Sequence, residues 1–463
     1  MLRAALLIMT ASLAATSCSA LLSFRECNVD SDCKGTNDAG GQLYCSDDHM
    51  CVGAIPDYQL CQVSRPADGK IPDGALVIGG LYRTSGGNGV DDHTFRNAAD
   101  LAADEFIARN YNLAHVVCDT AGDPAQAARA YNVVIARFGA KVIVGPDTSD
   151  EVFAVAEEVK SRGVPMISPS ATNPDISKLS DDSLVWRTAA SDALQSKVLA
   201  TLPVSATAKV DIIYVADSSY ASGLQSAFVS NFPGQVSLSL GFPAGDTAAM
   251  NAAVAMVSND APTDALLIAD FDAPPLMAAV SKATGLAMTQ FLMTDSAKKP
   301  SLWGQLAGNY TVMTRVRGTG PANPAFSDPS GKAFAVMQTN YKTAFNGEDP
   351  AETAFVGNAY DAFYVAAFAT LSLPAGKRDG QSIVANLARL SDHANGVSVA
   401  VGPNAINAGV TPLQMGGTVD LVGTSGPIDF NDNGDVVSAP IEKWSVDTTG
   451  AMPMFKTDTI VVP

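Results

Sequence analysis

The stretch from Lys141 to Ile176, KVIVGPDTSDEVFAVAEEVKSRGVPMISPSATNPDI, switches from strand period to helix period and back within a short span, and this constrains the fold more than any other segment. Lys141–Gly145 is a short apolar, β-branched run, and Asp147, Thr148 and Ser149 are residue types that cap a helix start. Asp150 and Glu151 follow, with the sign that a helix N-terminus favours. Val152, Val155, Ala156 and Val159 recur at helical spacing, and Gly163 ends the run. Val164–Ser168 then reads as a buried strand and Pro169–Pro174 as a polar turn. Two parallel strands joined by a helix leave loops rich in hydroxyls and backbone N–H groups at their carboxyl ends. In open α/β sheets, such loops bind small ligands.

The same grammar runs through the chain and predicts an α/β fold. Ala75–Leu81 reads as a strand, Asp92–Arg109 as a helix burying Phe95, Ala99, Ala102, Phe106 and Ile107, and His115–Asp119 as a strand. Asp123-Pro124 gives an N-cap with proline at the first helical position, and the helix carries Tyr131, Val134, Ile135 and Phe138 up to Gly139. Three βα units in succession mean a parallel sheet with helices on both faces. Beyond Trp186 the alternation restarts, with strands at Val210–Val215, Val236–Leu240, Ala265–Ala269 and Gln290–Thr294. Helices at Ala221–Phe232, Ala248–Ser258 and Ala273–Thr284 separate them, which predicts a second doubly wound lobe. Residues 331–390 read as mainly helical, at Ala333–Phe345, Ala354–Leu371 and Gln381–Leu390.

The 463 residues include 29 basic and 47 acidic ones, a net charge of −18. Little here could neutralise a phosphate backbone, so nucleic acid is excluded as a partner, and the plain reading of the acidity is solubility. Arg3 followed by the mostly apolar Ala4–Ala15, too short to span a bilayer, reads as a secretory signal over residues 1–17. Ala15-Thr16-Ser17-Cys18 is similar to a bacterial lipobox, in which Cys18 becomes the lipidated first residue, although leucine is usual in the place of Ala15. Ordinary cleavage near Ser17–Ala20 is the alternative. The remaining cysteines, Cys27, Cys33, Cys45, Cys51, Cys61 and Cys118, are spaced too widely for a zinc knuckle and suit disulfides in an oxidising compartment. Residues 18–72 therefore read as a tethered, disulfide-stapled spacer. Cys118, in a strand of the main domain, is expected to tie that module to it.

VIVG with a serine four residues after its glycine, followed by MISPSATNP after a helix, resembles the type I periplasmic solute-binding proteins, the branched-chain amino-acid binding proteins above all. GNAYDAFYVAAFATLS (residues 357–372) and SGPIDFNDNGDV (residues 425–436) are similar to the C-terminal half of the same family, so the resemblance runs from Ala75 to the end. It implies two doubly wound lobes joined by a hinge, with residues 75–188 and 320–438 in lobe I and 189–319 and 439–463 in lobe II. It also implies capture of a small polar ligand, an amino acid by preference, in the periplasm or cell envelope. The expected partners are the membrane permease of an ABC-type importer and, through the lipid anchor, the membrane; no cofactor is expected. A cell-surface sensor or interaction module on the same fold is the alternative, and the stapled spacer speaks for it.

An α-amino acid needs hydrogen-bond donors for its carboxylate and an acid with an aromatic wall for its ammonium. On the resemblance, Ser149, Ser170 and Thr172 fall on the carboxylate-binding positions. Tyr220 in VDIIYVADSSYASG and Phe271 in DALLIADF fall on aromatic ligand contacts, and Asp295 in FLMTD falls on the ammonium-binding acid, usually a glutamate. Each has a plainer reading: Ser149 as a helix cap, Tyr220 as a loop aromatic, Phe271 as core, Asp295 as the cap of the next turn. Enzyme motifs are wanting, with no G-x-S-x-G, Walker A, H-E-x-x-H or strand-linked G-x-G-x-x-G, and no enzyme activity is expected. Asp429–Asp435 begins like an EF-hand loop, but Pro440 stands where a bidentate glutamate belongs, which favours a plain Asn-Gly turn. No metal is expected. The polar loop Tyr82–Gly89 should border the pocket for the ligand side chain, where Arg83 favours an acidic or polar group or is simply solvated.

Overall fold

The computed structural model describes residues 57–85, 93–322 and 328–463, together with residues 27, 32, 33, 44, 45 and 50–52. The expected signal, the lipidation site Cys18 and the glycine-rich part of the loop after Arg83 lie outside the described residues. The chain divides into two units, residues 1–59 and 60–463. In the first, Tyr44–Cys45 pairs antiparallel with Cys51–Val52, and disulfides join Cys27 to Cys45 and Cys33 to Cys51.

In the second unit, β-branched runs buried on both faces assemble into parallel sheets. One sheet has the spatial order Cys61–Arg65, Leu113–Asp119, Leu76–Tyr82, Val142–Val144, Met166–Ser168, Val185–Arg187. All its pairings are parallel except the first, which is antiparallel. The order reverses between Leu76–Tyr82 and Val142–Val144, and a doubly wound sheet opens a crevice at such a reversal. The other sheet runs Gln235–Phe242, Lys209–Val215, Asp264–Ile268, Gln290–Met293, Val316–Pro321, then Ile441–Asp447 and Met454–Val461. Its first five strands are parallel, the last two antiparallel, and its order reverses between Lys209–Val215 and Asp264–Ile268.

Each sheet has its own core. The first core includes Ile78, Phe106, Val142 and Ile167 and is closed by the helix Val356–Leu371, whose every residue is buried. Phe106 packs against Tyr364 with ring centroids 4.9 Å apart and against Phe368 at 5.7 Å. The second core includes Ile212, Phe228, Leu266, Phe291 and, from the C-terminal strands, Trp444. The chain thus leaves the first sheet after Arg187, returns to it as helices from Pro329, and re-enters the second sheet at Ile441. Among the described residues, no helix is long and apolar enough to cross a membrane.

Two expectations need correction. Cys61–Arg65, read as part of the spacer over residues 18–72, is an edge strand of the first sheet. Cys118 does not tie a separate module to the main domain: its disulfide partner is Cys61, its register neighbour on that edge strand, inside the same unit.

Candidate functional site

The two reversals face each other across a cleft of about 350 Å³. From the first sheet come Arg83, Asp147, Thr148, Ser149 and Ser170; from the second, Ser218, Tyr220, Phe271, Asp295 and Ser296. The cleft is lined by Asp147, Asp150, Asp217, Asp270, Asp272 and Asp295 and by three cations, Arg83, Lys298 and Lys299.

On the first side, the chain turns at Gly145, where φ is +97° and a Cβ would sit 2.2 Å from the Leu81 carbonyl oxygen, so only glycine fits. The helix Ser149–Arg162 then begins, capped by Thr148 and not by Ser149 as the sequence suggested. Thr148 Oγ1 accepts from the Glu151 N–H at 3.2 Å, while the Thr148 N–H donates to Glu151 Oε2 at 3.0 Å, a reciprocal capping box. That frees Ser149 to be the first helical residue, buried at the cleft wall, where its Oγ accepts from the Asn173 N–H at 3.2 Å. Ser170 Oγ donates to the Asp147 carbonyl at 2.6 Å. Thr172 is a correction: it does not line the cleft, and its hydroxyl donates to Asp192 Oδ2 at 3.0 Å. The turn carrying Ser170 and Thr172 is held from beneath by Arg187, 1% exposed, which donates to the carbonyls of Asn173 at 2.9 Å and Ala171 at 3.3 Å. Its Nε pairs with Asp435 at 2.6 Å. Asp435 belongs to the segment that begins like a calcium loop; there Gly434 takes φ +74° and Phe430 bridges Val436 antiparallel, a hairpin turn.

On the second side, Ser218 caps the helix Ser219–Asn231 and brings Tyr220 to the wall. The Tyr220 hydroxyl lies 2.9 Å from Asp295 Oδ1, 2.8 Å from Thr294 Oγ1 and 3.2 Å from Ser296 Oγ; its single proton is best placed on the carboxylate. Gln195 Nε2 donates to the same oxygen at 2.6 Å. Asp295 is 3% exposed, and burial pushes its carboxyl up to about 6, with the Gln195 and Tyr220 donors pulling the other way. Of the six residues singled out from the sequence, Ser149, Ser170, Tyr220, Phe271 and Asp295 line one cleft.

The sequence reading placed Arg83 at the pocket without its partner, and it missed Phe355 and Asn173. The Arg83 guanidinium carbon lies over Phe271, 3.4 Å from the ring centroid, joining the two sides; Gly122, at φ +71°, leaves room for its stem. Phe355, at φ +66°, precedes the helix Val356–Leu371 as its N-cap residue and lines the cleft, a conformation no sequence pattern announces. Asn173 Nδ2 donates to the Ser219 carbonyl at 2.6 Å, and the Ser219 N–H donates to Asp150 Oδ1 at 2.8 Å. The lobes therefore touch at the mouths of two facing helices.

A sequence model for a family described as periplasmic binding protein matches residues 75–409. The Leu/Ile/Val-binding protein BraC3 of Rhizobium johnstonii is 33% identical over 138 residues, 29% of this chain and 37% of that protein. A Leu/Ile/Val-binding protein homolog of Brucella melitensis is 31% identical over 111 residues, 24% of this chain and 30% of the relative, so the chain spans only about a third of the length of either. Among solved structures, the branched-chain amino acid substrate-binding protein LivJ of Streptococcus pneumoniae, in complex with isoleucine, superposes with a TM-score of 0.67 at 20% identity, over 84% of this chain and 99% of that one. A Rhodopseudomonas palustris solute-binding protein in complex with 4-hydroxybenzoate gives 0.65 at 16% identity, over 84% and 97%. At these identities the structural matches establish a shared two-lobed fold.

Proposed function

This chain belongs to the periplasmic binding protein family, and on that premise we propose that it captures an amino acid between its two lobes, outside the cytoplasm, for the permease of an ABC-type importer. The observation that carries the reading is the division of labour across the cleft. The first lobe offers a helix N-terminus with Ser149 and Ser170, suited to a carboxylate; the second offers a buried acid, Asp295, walled by Tyr220 and suited to an ammonium. Lobe closure by hinge motion would bring the two half-sites onto one ligand and reshape the surface shown to the permease. Secretion ahead of residue 18 and a lipid tether on Cys18 complete the proposal and rest on the sequence pattern alone.

Thermal unfolding of the full chain against amino acids, small amides and aromatic acids tests it. Ligand at about 100 times its dissociation constant adds ~2.7 kcal/mol to stability, a clear shift in melting temperature. A shift with an amino acid is the expected result; shifts confined to aromatic acids, or none at all, would overturn the ligand class.

A further inference from the structure

Asp192 is the first residue of the helix Asp192–Leu199 and lies one turn before Gln195, the residue that binds Asp295. It is wholly buried. One carboxyl oxygen, Oδ2, accepts from Thr172 at 3.0 Å; the other, Oδ1, has no hydrogen-bond partner among the described residues. The Asp192 N–H also donates to the Thr172 carbonyl at 2.8 Å, so the residue is locked to the turn beside Ser170. A buried carboxylate with an orphaned oxygen is costly, and a second carboxylate close by makes it costlier.

We propose that Asp192 and Asp295 form a carboxyl pair that holds one proton at neutral pH, so that this end of the cleft carries a single negative charge and selects a ligand with a protonated amine. The proposal rests on the amino-acid reading above and narrows it. Asp192 keeps the proton, which removes the charge from its orphaned oxygen; Asp295, with donors from Gln195 and Tyr220, carries the charge. Asp192 is thus a positioning residue: it touches no ligand, but fixes the charge of the acid that does.

The surroundings agree. Burial, and then the charge of Asp295, hold the Asp192 carboxyl well above the ordinary range, against the Thr172 hydroxyl and the Arg187 guanidinium. The other groups facing the pair are Tyr220, whose phenol is pushed up by burial and then by Asp295 and Asp192, and Asp270, which raises Asp295 further. Arg187 is committed to Asp435 at 2.6 Å and to two carbonyls of the turn, so it does not neutralise Asp192 outright. A ligand whose only charge is a carboxylate would meet a negative acid pair here and leave it without a partner.

The test has two arms on the full chain. The first uses no ligand: the infrared C=O stretch of a protonated carboxyl is recorded for the unliganded protein at pH 7.5. The wild-type spectrum minus that of Asp192→Asn is expected to show the band, and the variant melts at or above the wild-type temperature because a neutral group replaces a neutral group. A difference spectrum without that band, or a large loss of stability in the variant, overturns the pair. The second arm is calorimetric titration with L-isoleucine and with 4-hydroxybenzoate, in two buffers of different ionisation enthalpy. Isoleucine is expected to bind with release of about one proton at pH 5 and almost none at pH 7.5, while 4-hydroxybenzoate does not bind. Binding of 4-hydroxybenzoate alone overturns both the selection for amines and the amino-acid reading. If isoleucine binds with the same small proton release at both pH values, only the pair's linkage to ligand is overturned.

Discussion

The two strand-order reversals that face each other across the cleft are built alike but equipped differently. In the first lobe, the polar groups near the site are largely engaged in architecture: Thr148 with Glu151, Ser170 with the Asp147 carbonyl, Thr172 with Asp192, Arg187 with Asp435. What remains for a ligand there is a helix N-terminus and its neighbouring hydroxyl. In the second lobe the equipment is a buried charge, Asp295, held by Tyr220 and Gln195. On the proposed function, the contrast means that one fold grips the two ends of a zwitterion by two physical means: oriented backbone dipoles on one side, and a desolvated acid on the other. Damage to the first side should therefore register mainly as lost stability, and damage to the second mainly as lost affinity.

The largest expected effect is on the first side. Arg187→Met leaves Asp435 buried without its cation and releases the turn over residues 169–174; breaking a buried pair in this way costs about 3–5 kcal/mol of stability, measurable by chemical denaturation. Next comes Asp295→Asn on the second side. Removing the acid from a buried ammonium pair should weaken amino-acid binding by about 2–5 kcal/mol in a calorimetric titration. The same substitution is expected to stabilise the unliganded protein at neutral pH. The folded-state carboxyl is raised to about 6 from 3.8, so its favourable contribution is present below about pH 4 and is lost as pH rises through about 6. Unfolding curves of the wild type and Asp295→Asn at pH 4 and pH 7.5 should show the variant gaining relative stability only at the higher pH.

Smaller effects sharpen the contrast. Affinity for an amino acid should fall about tenfold between pH 7 and pH 5 as Asp295 takes up a proton, and a flat profile would contradict its role. Thr148→Ala removes the helix cap and should cost about 1 kcal/mol of stability, with binding changed less than in Asp295→Asn. Ser170→Ala removes one hydrogen bond to the Asp147 carbonyl and should cost about 1 kcal/mol or less on either readout.

Much of this was legible in the chain because the signals are local. Val164–Ser168, Asp123-Pro124 and Gly139 each announce an element through a few adjacent residues, and the structure has a buried strand at Met166–Ser168 and a capped helix at Pro124–Phe138. Local signals also misled. Thr148 and Ser149 are adjacent hydroxyls, and nothing in their order says which one caps; Glu151, three residues after Thr148, was the distinguishing mark, through the spacing of a capping box. The edge strand Cys61–Arg65 reads CQVSR, too short and too polar for a buried-strand pattern, and its disulfide partner lies 57 residues away. Arg187 and Asp435 are 248 residues apart, so their pairing has no sequence signature at all. Asp192 carries no distinguishing mark in the sequence; only the fold buries it, on the helix whose Gln195 binds Asp295.

The most direct test of the central claim, that each lobe grips a different end of one zwitterion, is a crystal structure of the full chain grown with L-isoleucine. The account predicts the ammonium within hydrogen-bond distance of Asp295 and the carboxylate at the helix N-terminus beside Ser149 and Ser170. A ligand in the reverse orientation, or one held by a single lobe with Asp295 still bonded only to Gln195 and Tyr220, would contradict it.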